Sequence, residues 1–162
     1  MIFQRINRTN PEKIFLVVYN SYATASLTNG QAVIWDYVTD ANGVSVTMPA
    51  PPAVGGGVCF AGIVTETIAA GAYGLIQVYG YHSAIRARAS STSGSGATKA
   101  IAKGTPLRLS QGITTASLAA TAFCLEAAST KSTTILQQPA GFAFVANAAW
   151  TTAAIAGFIK AL

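Results

Sequence analysis

Short apolar runs and segments that alternate with a period of two recur along this chain between glycine-bearing turns, a pattern that belongs to strands rather than helices. Residues 14–19, IFLVVY, form an unbroken apolar run and predict a buried strand. Residues 33–38 and 44–48 predict a hairpin joined by Thr39-Asp40-Ala41-Asn42-Gly43, where Asn-Gly supplies the positive φ that a tight turn needs. Val44, Val46 and Met48 alternate with Ser45 and Thr47, so that strand has one wet face. Residues 58–64 and 75–81 predict a central hairpin around Gly71 and Gly74. In 83–89 the residues Ile85, Ala87 and Ala89 face one way, Arg86 and Arg88 the other. Residues 105–110 predict a short strand with Leu107 and Leu109 inward and Arg108 outward. Residues 117–128 fit helical spacing and a short strand alike, and their β surroundings favour the strand. The expected class is mainly β, a small β-barrel or β-sandwich with an extended N-terminal arm or hairpin.

One weak pattern recurs. Leu27-x-x-Gly30-x-x-Val33, Ile68-x-x-Gly71 and Ile101-x-x-Gly104-x-x-Leu107 each place an apolar residue, two spacers and a glycine ahead of a strand. Glycine turns of this kind launch strands at the corners of small barrels. The copies are unevenly spaced, which excludes a solenoid. The run from Pro49 through Gly57 reads as an extended connector, because its prolines cannot donate to a ladder. It divides residues 1–57, an arm with strands and connector, from a barrel body at 58–162, unless the two form one continuous domain. Residues 90–97, SSTSGSGA, read as a flexible polar loop.

Composition narrows the function. Charged residues are only 9% of the 162, while 51% are apolar. An average soluble protein carries about 25% charge, so this surface suits a subunit that covers itself with neighbours. The segment MIFQRINRTNPEK does not read as a signal peptide. Residues 140–162 are long and apolar enough to suggest a membrane span. Asn147, Thr151, Thr152 and Lys160 interrupt them, so two strands are expected instead, near 142–145 and 155–162. Cys59 and Cys124 both lie in apolar runs, and two buried, reduced thiols are expected, with a single disulfide as the alternative.

Candidate chemistry is sparse. The five carboxylates, Glu12, Asp36, Asp40, Glu66 and Glu126, are scattered and form no pair in sequence. His82 is the one histidine, and a structural role is expected for it rather than that of a catalytic base. One histidine and two distant cysteines give no zinc spacing. Neither Gly55-Gly56-Gly57 nor the stretch from Gly94 to Lys99 has the spacing of a phosphate loop. No enzyme, cofactor or metal is therefore expected. The strongest signal is basic: Arg86, Arg88, Lys99, Lys103 and Arg108 fall in a segment without Asp or Glu and equal the net charge of +5. That segment has no aromatic residue for base stacking, so an acidic protein neighbour is expected there rather than nucleic acid. Arg5 and Arg8 extend the same reading to an N-terminal arm.

Residues 27–49, LTNGQAVIWDYVTDANGVSVTMP, with 60–80, FAGIVTETIAAGAYGLIQVYG, resemble small tailed-phage virion proteins of the capsid decoration, or cement, type. The end of the chain, 154–162, looks like their closing strand. The resemblance implies a β body on the outer capsid surface, bound to the major capsid protein, often as a trimer, with no catalytic residues. A tail, neck or fibre-adaptor component is the alternative within the virion. A single-stranded nucleic-acid-binding barrel and a small hydrolase built around His82 are the alternatives outside it.

Overall fold

A computed structural model describes residues 12–48, 59–88, 90–91, 98–109, 125–127, 140–146 and 153–161. Among these residues the chain is strand and turn, with no helix, and the mainly β expectation holds. The strands are β1 (Lys13–Asn20), β2 (Ala32–Trp35), β3 (Ser45–Thr47), β4 (Phe60–Val64), β5 (Tyr73–Arg88), β6 (Ser90–Ser91), β7 (Thr98–Lys99), β8 (Pro106–Leu109), β9 (Leu125–Ala127), β10 (Gly141–Ala143) and β11 (Ala153–Lys160). β6 and β7 pair only with each other. The other nine form one sheet in the order β1-β3-β2-β4-β5-β11-β10-β8-β9, with further pairings of β1 to β5 and β5 to β9. The hydrogen bonds thus run in two closed circuits that share β5.

β5 is 16 residues long and supports both circuits. Its first half lies between β4 and β1, its second half between β11 and β9. Sequence reading splits it into two strands at Tyr81-His82-Ser83. The ladder to β11 carries it through, with a register shift between His82 and Ile85. Each circuit has its own core. Val18, Leu27, Val33, Val64, Ile68, Ile76 and Val78 fill the first. Ile85, Ile101, Leu107, Ala140, Ala143 and Ile159 fill the second, joined by Ala32, Ile34 and Ile63 from the first circuit's strands.

The three glycine turns do launch strands. Gly30 precedes β2, Gly71 precedes β5 and Gly104 precedes β8, each with positive φ, at 83°, 72° and 79°. In each turn the residue after the glycine donates its N–H three residues back: Gln31 to Thr28, Ala72 to Ala69 and Thr105 to Ala102. The preceding apolar residue is buried every time, Leu27 at 0%, Ile68 at 1% and Ile101 at 1% exposure. Leu27 and Ile68 also bridge each other. Buried Asn20 locks this corner, donating from Nδ2 to the Ile68 and Ala69 carbonyls at 3.1 Å.

Other expectations land unevenly. The 33–38/44–48 hairpin is present as β2 and β3, and Asp40 organises its loop by accepting N–H groups from Asn42, Val44 and Ser45. The two C-terminal strands are present as β10 and β11. No described helix is long and apolar enough to cross a membrane. Residues 14–19 are a strand, but not a buried one: Ile14 to Val17 are exposed. The reason is pairing, since β3 meets β1 only at Tyr19 and Asn20 and leaves the first half with β5 alone. The polar loop at 90–97 begins with β6, which pairs with β7 just after the loop, and 92–97 lie outside the described residues. The connector at 49–57, the arm at 1–11 and Cys124 also lie outside them. β2 and β4 pair across the 57/58 boundary, so the sheet runs through it.

The corners differ in how tightly they are built. A Cβ on Gly30 collides with the Ala84 carbonyl of β5, whereas a Cβ on Gly43 meets nothing within 4 Å. Both need positive φ, which costs a non-glycine residue about 1–2 kcal/mol. Gly43→Ala is expected to cost about that much, and Gly30→Ala roughly 3–5 kcal/mol because β5 must also move. Urea midpoints of the two variants check the difference.

Candidate functional site: an aromatic sheet face

Cross-strand register brings aromatic residues together on β5, β10 and β11. Phe142 lies opposite Phe158, and Phe158 opposite Tyr81. Residues in register share a face, so the three rings form a row across the sheet. Tyr79 meets Phe158 edge-on, with centroids 5.0 Å apart. Phe144, just past β10, stacks on Tyr81 at 6.0 Å. Phe142 and Phe144 remain 39% and 45% exposed. The Lys13 ammonium stands 6.0 Å from the Tyr81 ring centre.

Apolar surface continues onto the first circuit. Ile14 pairs with Tyr79, Val17 with Leu75 and Tyr19 with Tyr73. The Tyr19 and Tyr73 rings tilt together at 5.2 Å, and Val17 and Tyr73 are 64% and 68% exposed. An apolar face of this extent is the kind that marks a contact with another molecule. The pattern did hold a signal for it. Tyr73, Tyr79 and Tyr81 share one parity on β5, as do Phe142 and Phe144 at the chain's end, but sequence spacing does not show that the two strands meet through β11.

The basic candidates are placed differently from a docking row. Arg86 and Arg88 are half-buried on β5. Arg86 donates from Nη2 to Thr28 Oγ1 at 2.9 Å, and its N–H donates to the Gly30 carbonyl, so it fastens β5 to the first turn. Arg88 and Arg108 both lie in register with Glu126 of β9, on its two sides. The segment that lacks acids in sequence thus gains one in space, between two of its arginines, and both arginine Nε atoms are buried. Lys103 is exposed on the turn before β8, and Lys99 lies in β7, apart from the sheet. Arg5 and Arg8 lie outside the described residues. Of the candidates whose side chains are described, Arg86, Arg88 and Arg108 are half-buried and Lys103 is exposed.

His82 sits buried on β5 opposite Gly157, and its Nδ1 accepts the Ala84 N–H at 3.1 Å. Burial, and then the charge of Lys13, holds the imidazole below its ordinary pKa. Around Asp36, partial desolvation acts to raise the pKa. Hydrogen bonds from Ser21 Oγ, at 2.6 Å, and from Thr39 outweigh it, and the carboxyl is held low. That carboxylate clasps the loop after β2 to the end of β1. Cys59 is a free, half-buried thiol. No group of three His, Cys, Asp or Glu side chains among the described residues is placed to hold a metal ion.

No protein-family model, curated protein or solved structure matches this chain.

The His82 hydrogen bond has a consequence for acid stability. Nδ1 accepts only when the ring is neutral, so folding disfavours the protonated form. Stability from this group is full above the ordinary value of 6.5 and is lost as pH falls from there through the lower folded pKa. Asp36 and Asp40 are held below 3.8, so their contribution is lost only in more acid solution. His82→Gln can keep an acceptor without titrating. Thermal midpoints at pH 7.5 and pH 5 are expected to fall by several degrees more in the parent than in His82→Gln; equal falls count against this account.

Proposed function

We propose that this protein is a structural component of a phage particle that docks on the outer capsid surface and bridges major capsid subunits. The observation that carries the reading is the aromatic face on β10, β11 and β5, continued by the apolar outer residues of β1. It offers large, partly pre-packed rings on a rigid sheet, which suits a protein surface more than a small substrate. The resemblance of residues 27–49 and 60–80 to capsid decoration proteins supplies the partner, and the low charge suits a subunit covered by neighbours. Repeated docking sites on a lattice add avidity to a modest single contact. Self-association, with a trimer favoured, belongs to the same proposal.

One observation favours a second reading. Exposed rings beside Lys13 also make a stacking platform for single-stranded nucleic acid. Salt separates the two, because phosphate contacts weaken steeply as salt rises while apolar docking does not.

Purified protein is expected to co-sediment with undecorated capsids and to stay bound in about 0.5 M salt, where charge–charge contacts beyond roughly 4 Å are screened. The double variant Tyr81→Ser/Phe144→Ser is expected to fold and to bind about tenfold more weakly, the loss of roughly 1.4 kcal/mol. A protein that ignores capsids and shifts single-stranded DNA only at low salt supports the second reading instead.

A further inference from the structure

The two circuits are copies of one another. In chain order the first uses β1, β2, β3, β4 and β5, arranged around the ring as first-third-second-fourth-fifth. The second uses β5, β8, β9, β10 and β11, arranged in the same permutation. The one parallel contact falls in the same place, between the first and third strands: β1 with β3, and β5 with β9. All other neighbours in both circuits are antiparallel.

The match extends to single hydrogen bonds. Gly30 donates to the Val64 carbonyl at 2.8 Å, and Val64 donates back to Gln31 at 2.9 Å. Gly104 donates to the Ala143 carbonyl at 2.7 Å, and Ala143 donates back to Thr105 at 3.0 Å. Val33 pairs with Gly62, and Leu107 with Gly141. A Cβ on Gly62 stands 2.6 Å from the Gln77 carbonyl of the next strand, and a Cβ on Gly141 collides with the Phe158 carbonyl, its counterpart. The dipeptides Ala61-Gly62 and Ala140-Gly141 are the same residues at the same place. The core follows suit: Leu27 answers to Ile101, Val33 to Leu107, and Val78 to Ile159, all of them buried. A chance likeness of topology does not require glycine at both close approaches or the same reciprocal bonds.

The copies part company at one face. The outer face of β2 and β4, with Ala32, Ile34 and Ile63, is buried against the second core. The registers make Pro106, Arg108 and Phe142 their counterparts, and these three are exposed, half-buried and exposed. We infer that the chain is an internal duplication of one five-strand unit, the copies sharing β5, and that they divide one equivalent face between them. In the first copy that face holds the two units together; in the second, among the described residues, it leaves Phe142 exposed, and that ring docks. The docking half rests on the function proposed above.

Matched substitutions in the full chain test both halves. Gly62→Ala and Gly141→Ala are expected to lower the thermal midpoint together, as are Val33→Ala and Leu107→Ala, each by roughly 5–10 °C. A pair in which one member is neutral and the other severe overturns the equivalence. At the divided face the outcomes are expected to part. Ile63→Asn lowers the midpoint by roughly 10 °C or more, while Phe142→Asn shifts it by no more than about 3 °C. Phe142→Asn is also expected to weaken capsid co-sedimentation about tenfold, again roughly 1.4 kcal/mol. Equal destabilisation by both overturns the division of the face. A folded Phe142→Asn that binds capsids like the parent overturns its docking role. A parent that binds no capsid overturns the proposed function and the docking role with it, and the stability pairs still decide the duplication.

Discussion

The fold depends on β5 pairing with β1 along its first half and with β11 along its second, while β4 and β9 each meet two of its residues on the opposite edge. A strand of 16 residues spans about 50 Å if straight, far more than one small ring of short strands can use. It is stable at that length because β4 and β1 satisfy its first backbone groups and β11 and β9 its last. The handover between them falls at Gly80, which pairs with Lys13 of β1 and with Ile159 of β11. Its φ is 102°, and a Cβ there collides with the Glu12 carbonyl. Only glycine lets β1 approach while the strand changes partners. The Gly30 turn depends on the same strand, since it presses on Ala84 and is held there by the backbone and side chain of Arg86.

This arrangement explains which parts of the fold the sequence exposes to a reader. Local signals were legible because they are local. Alternation at Ile85, Ala87 and the two arginines, the glycine turns, and the interruptions by Asn147, Thr151 and Thr152 each report on a few neighbouring residues, and strands follow from them. Partnership was not legible. The run at 14–19 looks buried because it is apolar, yet burial requires a neighbour on each side, and β3 reaches only its last two residues. The basic segment looks acid-free because Glu126 lies far along the chain, and only the register of β9 sets it between Arg88 and Arg108. The duplication is hidden for a related reason. Its copies keep the glycines and the apolar class of core positions but few identities, so the repeat lives in register rather than in letters.

The same logic bears on the site. Sequence reading weighted the arginines because charge is easy to count in a chain with so little of it. In the fold the three arginines of the sheet are half-buried; Arg86 is held by a hydroxyl and a turn, and Arg88 and Arg108 lie level with Glu126 in the register. Half-buried guanidinium groups whose Nε atoms are out of solvent serve the sheet first. The aromatic residues took the opposite course. Tyr79, Tyr81, Phe142, Phe144 and Phe158 read as ordinary strand formers, and folding gathers them on one outward face.

Magnitudes decide which of the two surfaces governs an encounter. An exposed ion pair is worth about 0–1 kcal/mol and fades with salt. Fully covering one large apolar side chain is worth about 1.5–3 kcal/mol and does not. Phe142 and Phe144 each keep well over a third of their surface in water, so a partner that covers both gains a substantial part of that range twice over. Phe144 already stacks on Tyr81, and Tyr79 meets Phe158 edge-on, which leaves those rings less side-chain entropy to lose on contact. A face of aromatic rings with Lys13 and Lys160 beside them binds by shape and area, with basic groups among the rings. Specificity for one partner then comes from the few groups at its margin, of which Lys13 beside Tyr81 is the clearest: its charge tolerates an acidic or carbonyl-rich neighbour and disfavours a basic one.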